Sequence, residues 1–344
     1  MHLNIKEVAR RAGVSIATVS RVINNTTPVS ENVRKRVEEI INETGYRPNS
    51  LAKELQNHKT NTIGVIISVA VLDVTSLGTT INAITDVLKA KGYSIMLANS
   101  RFDSKEELDY FKIFQEKRVD GILYFAVNFT EEHYWFLKKY PIPIVMIGQE
   151  NELLDFPCVL HDNYYAAKLA TEYLIQMGHK KIGYIGIPEY DAAAGKERRK
   201  GFEVAMRLNN IEINPHYLAE GNFSIESGYA SMKHILVQSV VKPTAVFAAT
   251  DFMALGAMHY LTEKGYTVPE DMSIIGFDDV DVAPYLNPPL TTIHSDNHAV
   301  GRQAATLLLQ ILEEGGPGIK KFVANYELIE RKSVKNLIID NCTK

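Results

Sequence analysis

The chain is poor in cysteine and in long apolar runs, and both deficits exclude classes of protein. Only Cys158 and Cys342 are cysteines among 344 residues, so a disulfide framework is excluded and a reducing compartment is expected. The longest nearly apolar stretch, residues 63–72, is too short to cross a bilayer. The first residues lack the apolar segment of a secretion signal. We therefore expect a cytoplasmic protein without a membrane partner.

Aspartate is missing from the first sixty residues, which hold ten Lys or Arg and six Glu. The rest of the chain holds 27 basic and 35 acidic residues. A basic head on an acidic body is typical of a nucleic-acid-binding module joined to another domain. A small positive balance also fits an ordinary solvated surface, so charge alone leaves both interpretations open. With 46% hydrophobic residues, the chain is long enough for two or three packed domains.

Apolar spacing predicts three short helices in the head. The first covers Ile5–Ala12 and ends at Gly13, Ser15 can cap the second, and Ser30 can cap the third. Two helices joined by so short a turn have the size of a helix-turn-helix. The outward positions of the second helix are Ile16, Ala17, Ser20, Arg21 and Asn24.

A short linking segment follows the head. Pro48 disfavours helix at Arg47, and Asn49 can cap a new short helix over Ser50–Gln56. The polar run Asn57–Asn61 then leads into the first strand of the body. Seven residues are marginal as an isolated helix, so this segment needs other partners to be stable.

The body alternates buried apolar runs with amphipathic stretches, which is the pattern of doubly wound α/β folds. The runs predicted as parallel strands are Ile63–Val71, Tyr93–Leu97, Gly121–Val127, Ile144–Ile147, Lys181–Ile187, Ala245–Ala249 and Ser273–Gly276. There are too many units for one sheet, so we predict two lobes. The predicted divisions are a head over 1–48, a hinge helix and linker over 49–60, and a core over 61–340. Within the core, lobe 1 covers about 61–161 and 293–321, and lobe 2 covers about 162–292 and 322–340.

The most specific pattern in the sequence is an ordered series of motifs. They are Gly13–Asn24, Tyr46–Asn49, Leu174–Gly183, Arg198–Phe202, Thr250–Ala257, Gly276–Asp279 and Pro288–Ile293. Together they resemble the lactose/galactose repressor (LacI/GalR) family over essentially residues 3–333. The resemblance implies an all-α helix-turn-helix head and a periplasmic-binding-protein-like core of two parallel-sheet lobes.

The resemblance also assigns roles on the second helix of the head. It implies that Ile16, Ala17 and Arg21 face the bases of the DNA. Arginine can donate two hydrogen bonds to a guanine, whereas the two apolar side chains can contact a thymine methyl. It further implies that three polar residues bind phosphates and fix the register: Thr18, Ser20 and Asn24. A surface helix of an ordinary helical bundle is the alternative.

The segment Ser50–Leu55 resembles the hinge helix of the family. There Leu55 would wedge between base steps in the minor groove, beside its copy from a second subunit, and kink the DNA. The alternative is a short linker helix whose two leucines, Leu51 and Leu55, pack on the body.

In the body, the resemblance places a small-molecule site in a cleft between the lobes. Arg198 is similar to the family's arginine that binds sugar hydroxyls, and Asp278 is similar to the acidic partner of that arginine. A carboxylate can accept hydrogen bonds from two adjacent hydroxyls, and arginine can donate two hydrogen bonds to them. Phe223 aligns with an aromatic that stacks on the sugar. Two further polar contacts are implied: Thr250 and Ser295. Each residue has a structural alternative, such as a solvated basic run, a core aromatic or a helix cap.

These inferences predict a homodimeric transcription regulator that represses a sugar-utilisation operon and leaves its operator when a sugar binds. Alternatives are a corepressor-type regulator activated by a non-sugar molecule, as in the purine-type members, and a sugar-binding protein without regulation. No phosphate-binding glycine loop, G-x-S-x-G or H-E-x-x-H motif occurs, so neither an enzyme nor a cofactor is expected. The histidines of His294–His298 diverge on a strand leading into a helix, which disfavours a metal site.

Overall fold

The structure, a computed structural model, describes residues 4–25, 27–46, 59–68, 75–127, 129–150, 154–316 and 318–338. The chain divides into two compact units, Met1–Thr60 and Asn61–Lys344.

Among its described residues, the first unit contains three helices, α1 (Ile5–Ala12), α2 (Ile16–Asn24) and α3 (Glu31–Thr44). Apolar residues three and four positions apart give each helix one buried face, and these faces meet in a small common core. Its buried members are Val8, Ala9, Ala12, Val19, Val22, Val37 and Tyr46. The predicted helical head is therefore confirmed.

Local signals set the helix ends in this unit. Gly13 has a φ of 64°, and this left-handed conformation, which glycine adopts without strain, ends α1. The Ser15 side chain accepts a hydrogen bond from the amide of Thr18 at 3.1 Å, which confirms it as the cap of α2. Ser30 holds the capping position of α3, but its side chain makes no capping hydrogen bond.

The first lobe of the second unit is built on a six-stranded parallel sheet. Its strands are β1 (Thr62–Ile67), β2 (Ser94–Asn99), β3 (Gly121–Phe125), β4 (Ile144–Ile147), β5 (Cys158–His161) and β11 (Lys321–Ala324), in the order β11-β5-β4-β3-β1-β2. Its helices are α4 (Thr75–Ala90), α5 (Ser104–Glu116), α6 (Glu131–Leu137) and α11 (Asn297–Glu314). Alternate residues of β1 enter apolar clusters on opposite faces of the sheet, which explains its unbroken apolar sequence.

The second lobe repeats this architecture with the order β12-β10-β9-β8-β6-β7. Its strands are β6 (Ile182–Gly186), β7 (Leu218–Glu220), β8 (Ala245–Ala248), β9 (Ser273–Asp278), β10 (Thr291–Ser295) and β12 (Tyr326–Ile329), and only the β10–β12 pair is antiparallel. Its helices are α7 (Asn163–Gln176), α8 (Arg198–Leu208), α9 (Ile225–Gln238) and α10 (Asp251–Glu263). Each of the seven predicted strand segments contains a strand, so the doubly wound pattern is confirmed.

The chain passes between the two sheets three times, after β5, after β10 and after β11. The predicted lobe limits at 293 and 322 fall a few residues too early. Strand β10 continues to Ser295 beside β9, and Asp296 then caps α11, so this crossing follows a strand that belongs to the second sheet. Strand β11 pairs with β5 in the first sheet, which moves the last crossing to residue 325.

Within the residues that the structure describes, no helix is both long and apolar enough to span a membrane. The same residues contain no group of three or more His, Cys, Asp or Glu side chains that could hold a metal ion.

His179 connects three segments of the second lobe. Its Nε2 lies 3.1 Å from the carbonyl oxygen of Lys335, and its Nδ1 lies 2.9 Å from the hydroxyl of Thr244. Burial lowers the pKa of His179 to about 4. The unfolded chain therefore binds more protons at this residue than the folded chain does between pH 4 and 6.5.

We predict that acidification destabilises the protein through His179. Because its folded pKa is lowered, the stability present at neutral pH is lost as pH falls through the unfolded pKa, by about 2 kcal/mol between pH 7 and 5. His179→Gln keeps a side-chain amide for the Lys335 carbonyl but cannot titrate. Urea unfolding at both pH values measures the difference. Equal pH dependence in both proteins would contradict the assignment.

Candidate functional site

The predicted DNA-reading residues lie on one face of α2. Ile16, Ala17 and Arg21 are exposed, whereas Val19 and Val22 of the opposite face are buried. The residues predicted to bind phosphates also lie on α2: Thr18 and Ser20 are partly buried, and Asn24 is the last residue of the helix. Helix α2 carries no acidic residue, so this face has only the positive charge of Arg21.

Leu55 and the predicted hinge helix Ser50–Gln56 lie outside the described residues.

A cavity of about 550 Å³ opens between the two lobes of the second unit. Four of the five residues predicted to bind the effector line it: Arg198, Phe223, Thr250 and Asp278. The carboxyl ends of β8 and β9 supply Thr250 and Asp278, as expected for ligand sites in doubly wound sheets. The structure therefore brings together, on one wall, residues separated by up to eighty positions in the sequence.

Ser295 is the exception among the predicted residues. It is buried at the end of β10, does not line the cavity, and its carbonyl accepts a hydrogen bond from the side-chain amide of Asn297 at 3.1 Å. Asn297, the first residue of α11, lines the cavity instead. The prediction was misplaced by two residues because the strand continues to Ser295 before the chain turns into the first lobe.

Arg198 is held by groups from three other elements. Its Nε donates to Oδ1 of Asn163 at 2.7 Å, one Nη donates to the carbonyl of Ala249 at 2.5 Å, and the other donates to Asp278 Oδ1 at 3.3 Å. Its guanidinium carbon also lies 3.7 Å from the centroid of the Phe277 ring. These contacts fix the plane of the guanidinium, which is the condition for directional hydrogen bonds to a ligand.

Asp278 has an unusual backbone conformation. Its φ is 106° and that of Asp279 is 53°, a region that residues other than glycine rarely adopt. Burial raises the pKa of Asp278, and the Arg198 guanidinium opposes that rise. Two consecutive strained residues therefore require strong anchors in the surrounding structure.

Asp251 is the first of these anchors. Its Oδ2 accepts from the amide of Val280 at 2.9 Å, and its Oδ1 accepts from the Thr292 hydroxyl at 2.5 Å. A Cβ on Gly276 would lie 2.1 Å from this carboxylate, so a glycine is needed there. Burial raises the pKa of Asp251 well above its usual range, and Asp278 adds to this effect.

Asp279 provides the second anchor. Its Oδ1 accepts from Arg331 Nη2 at 2.6 Å, and its Oδ2 lies 3.2 Å from Nδ1 of His294. The other Nη of Arg331 donates to the carbonyl of Leu290 at 2.8 Å. The loop that carries Asp278 is thereby tied to β10 and to the segment that follows β12.

Sequence reasoning missed several polar residues of the cavity. Asp191, His161 and Asn222 all line it. Asp191 caps a π-helix over Ala192–Glu197, accepting from the amide of Ala194 at 2.8 Å, and burial raises its pKa. The signal for His161 was present, because it ends a strand at the predicted crossing between lobes.

We predict that loss of Arg331 destabilises the second lobe. Arg331→Met leaves the mostly buried Asp279 without its shortest ion pair and should lower the free energy of unfolding by about 2 kcal/mol. The control Lys112→Met removes an exposed ion pair with Asp109 and should cost less than about 0.5 kcal/mol. Urea unfolding at neutral pH compares the two. Similar small losses would show that Arg331 is not an anchor.

Comparisons with known proteins agree with this architecture. A family model described as "Bacterial regulatory proteins, lacI family" matches residues 4–49, and one described as "Periplasmic binding protein-like domain" matches residues 171–334. A relative named HTH-type transcriptional repressor PurR, from Haemophilus influenzae (strain PittEE), is 38% identical over 340 residues, which cover 97% of this chain and 99% of the relative. A second PurR relative, from Pasteurella multocida (strain Pm70), is 37% identical over 335 residues, 96% of this chain and 98% of the relative.

Solved structures show the same fold. The lac repressor dimer bound to operator and the anti-inducer ONPF has a TM-score of 0.87 at 27% identity, with 97% of this chain and 100% of that chain covered. The complex of the transcriptional regulator CelR with cellobiose has a TM-score of 0.74 at 29% identity, with 96% and 99% covered.

This chain therefore belongs to the LacI family of DNA-binding transcriptional repressors. The members of this family are transcription regulators and not enzymes.

Proposed function

We propose that this repressor controls genes for the use of a sugar, and that the sugar, bound between the lobes, releases it from its operator. The protein acts in the cytoplasm as a homodimer on a near-palindromic operator. The observation that carries the effector assignment is the Arg198–Asp278 pair on the wall of the cavity, which Phe223 also lines. Such a pair can accept from and donate to adjacent hydroxyls, while an aromatic ring covers the apolar face of a sugar.

The charges around the cavity favour a neutral ligand. Among the described lining residues, Asp191, Glu226 and Asp278 are acidic, and the only Lys or Arg is Arg198. This balance repels phosphate or carboxylate groups, whereas hydroxyl groups can donate hydrogen bonds to the carboxylates.

The PurR relatives support a second candidate function. At 38% identity over nearly the whole chain, they favour a regulator whose ligand acts as corepressor, as in the purine-type members. The two candidates differ in the direction of the ligand's effect, since a corepressor strengthens operator binding and an inducer weakens it. Coupling is reciprocal, so operator must alter effector affinity by the same factor.

One screen separates these candidates. Thermal unfolding of the full-length protein is measured with D-glucose, D-galactose, D-ribose, cellobiose, hypoxanthine or guanine. A ligand that binds the folded state raises the midpoint temperature of unfolding. Each binder is then titrated into protein bound to an operator selected from random DNA. Release by a sugar supports our proposal. Stabilisation by a purine base alone, with tighter operator binding, would replace it with the corepressor function.

The role of Arg21 in reading bases yields a separate prediction. Arg21→Ala should weaken binding to the selected operator by about 1–3 kcal/mol while leaving binding to random DNA nearly unchanged. Arg10→Ala removes the same charge from α1, where Arg10 pairs with Glu7 at 2.6 Å. For that control, any loss should be equal on both DNAs. Fluorescence anisotropy at one salt concentration measures the six affinities of wild type and the two variants on the two DNAs. Equal losses for Arg21→Ala on operator and random DNA would refute base reading.

The role of Asp278 yields another prediction. Asp278→Asn replaces one acceptor oxygen by a donor. It should weaken binding of the sugar found in the screen at least tenfold, or by about 1.4 kcal/mol. Operator binding without sugar should persist. Glu226→Gln removes a charge from an exposed residue of the cavity lining and should change sugar affinity less than about twofold. Calorimetry measures both, and unchanged affinity in Asp278→Asn would show that the carboxylate does not bind the sugar.

A further inference from the structure

The cavity wall contributed by the first lobe contains a histidine, and its neighbours fix which ring nitrogen donates and which accepts a hydrogen bond. His161 ends β5, immediately before the chain crosses into α7. Its side chain lines the cavity, and its Nε2 lies 3.0 Å from Oδ1 of Asn297, at the next crossing. Both residues therefore lie where the chain passes from one lobe to the other.

The hydrogen bonds of Asn297 determine which nitrogen of His161 carries the proton. The amide nitrogen of Asn297 donates to the carbonyl of Ser295 at 3.1 Å, which places its Oδ1 toward His161. An amide oxygen only accepts, so with Asn297 in this orientation the Nε2 of His161 that faces it carries the proton. In a neutral imidazole the other nitrogen, Nδ1, then has no proton and can only accept.

The surroundings keep this imidazole neutral. Burial lowers the pKa of His161 to about 4, and the positive charge of Arg198 adds to the effect. Asn297 and Asp296 act in the opposite direction but do not cancel it. At neutral pH, His161 therefore remains in the form in which Nδ1 is an acceptor.

We propose that His161 is a specificity-determining residue of the effector cavity, whose Nδ1 accepts a hydrogen bond from a hydroxyl of the bound sugar. This inference rests on the proposed effector function. The opposite wall also offers acceptors, the carboxylates of Asp191 and Asp278. A ligand held by both lobes then needs hydrogen-bond donors on two sides, which a neutral polyhydroxyl compound provides.

Two substitutions separate direct binding from a structural role. His161→Gln places an amide nitrogen where Nε2 stood, so it can still donate to Asn297, but it offers no acceptor at the position of Nδ1. His161→Asn places its amide oxygen near that position and gives up the bond to Asn297. The probe is the panel sugar that binds the wild type most tightly, measured by calorimetry on full-length protein.

Direct binding predicts a three- to tenfold loss of affinity for His161→Gln and a smaller loss for His161→Asn. In addition, one monodeoxy derivative of the probe sugar should bind wild type and His161→Gln equally, because it lacks the donor. If His161 only positions Asn297, His161→Gln retains affinity, His161→Asn loses it, and no derivative equalises the two proteins. That result overturns the proposal.

A measurement on the wild-type protein makes the test independent of how the variants fold. In two-bond ¹H–¹⁵N spectra of histidine-labelled protein, His161 should show the Nε2-protonated tautomer, and the probe sugar should shift its Nδ1 resonance. A proton on Nδ1 or an unmoved resonance refutes the role. If no sugar binds the wild type, the effector proposal itself fails, which differs from a sugar that binds wild type and His161→Gln equally.

Discussion

The cavity between the lobes depends on the burial of one guanidinium group. Arg198 takes its position from Asn163 on α7, Ala249 at the end of β8 and Asp278 at the end of β9. A buried cation is stable only when its charge and its donors are matched, so these partners and the arginine require one another. The face of Phe277 beneath the guanidinium completes its surroundings. The loops of the second lobe that line the cavity are arranged around this one group.

The need of a buried charge for matching partners also explains how the second lobe accommodates three neighbouring aspartates. Asp278 faces Arg198, Asp279 faces Arg331, and Asp251 accepts a backbone amide and a hydroxyl. Each carboxylate has its own partners, which limits the repulsion expected from acids so close together. The strained backbone at Asp278 persists because its neighbours in sequence are fixed on both sides.

Sequence reasoning succeeded where a signal was local or belonged to an ordered motif. The cap at Ser15 follows from the capping preference of serine before an apolar helical repeat, and the exposed position of Arg21 follows from helical periodicity. The family motifs indicated Arg198 and Asp278, which the structure places on the same cavity, and their role in binding stays a prediction. His161 was missed because its proximity to Asn297 depends on two separate crossings between the sheets. The π-helix that begins at Ala192 was missed because no short-range pattern distinguishes it from an ordinary helix start. Ser295 was misplaced because one strand continued two residues beyond the expected boundary.

The order in which the lobes are assembled from the chain has a consequence for synthesis. The first lobe cannot close until β11, which ends at Ala324, has left the ribosome, and the second lobe also waits for β12. The head, which ends before residue 60, has all its own contacts much earlier. At roughly 5–20 residues per second, tens of seconds separate the two events. During that interval the nascent chain presents a folded DNA-binding head on a body whose sheets are incomplete, and those open sheet edges are the surfaces that chaperones would have to protect.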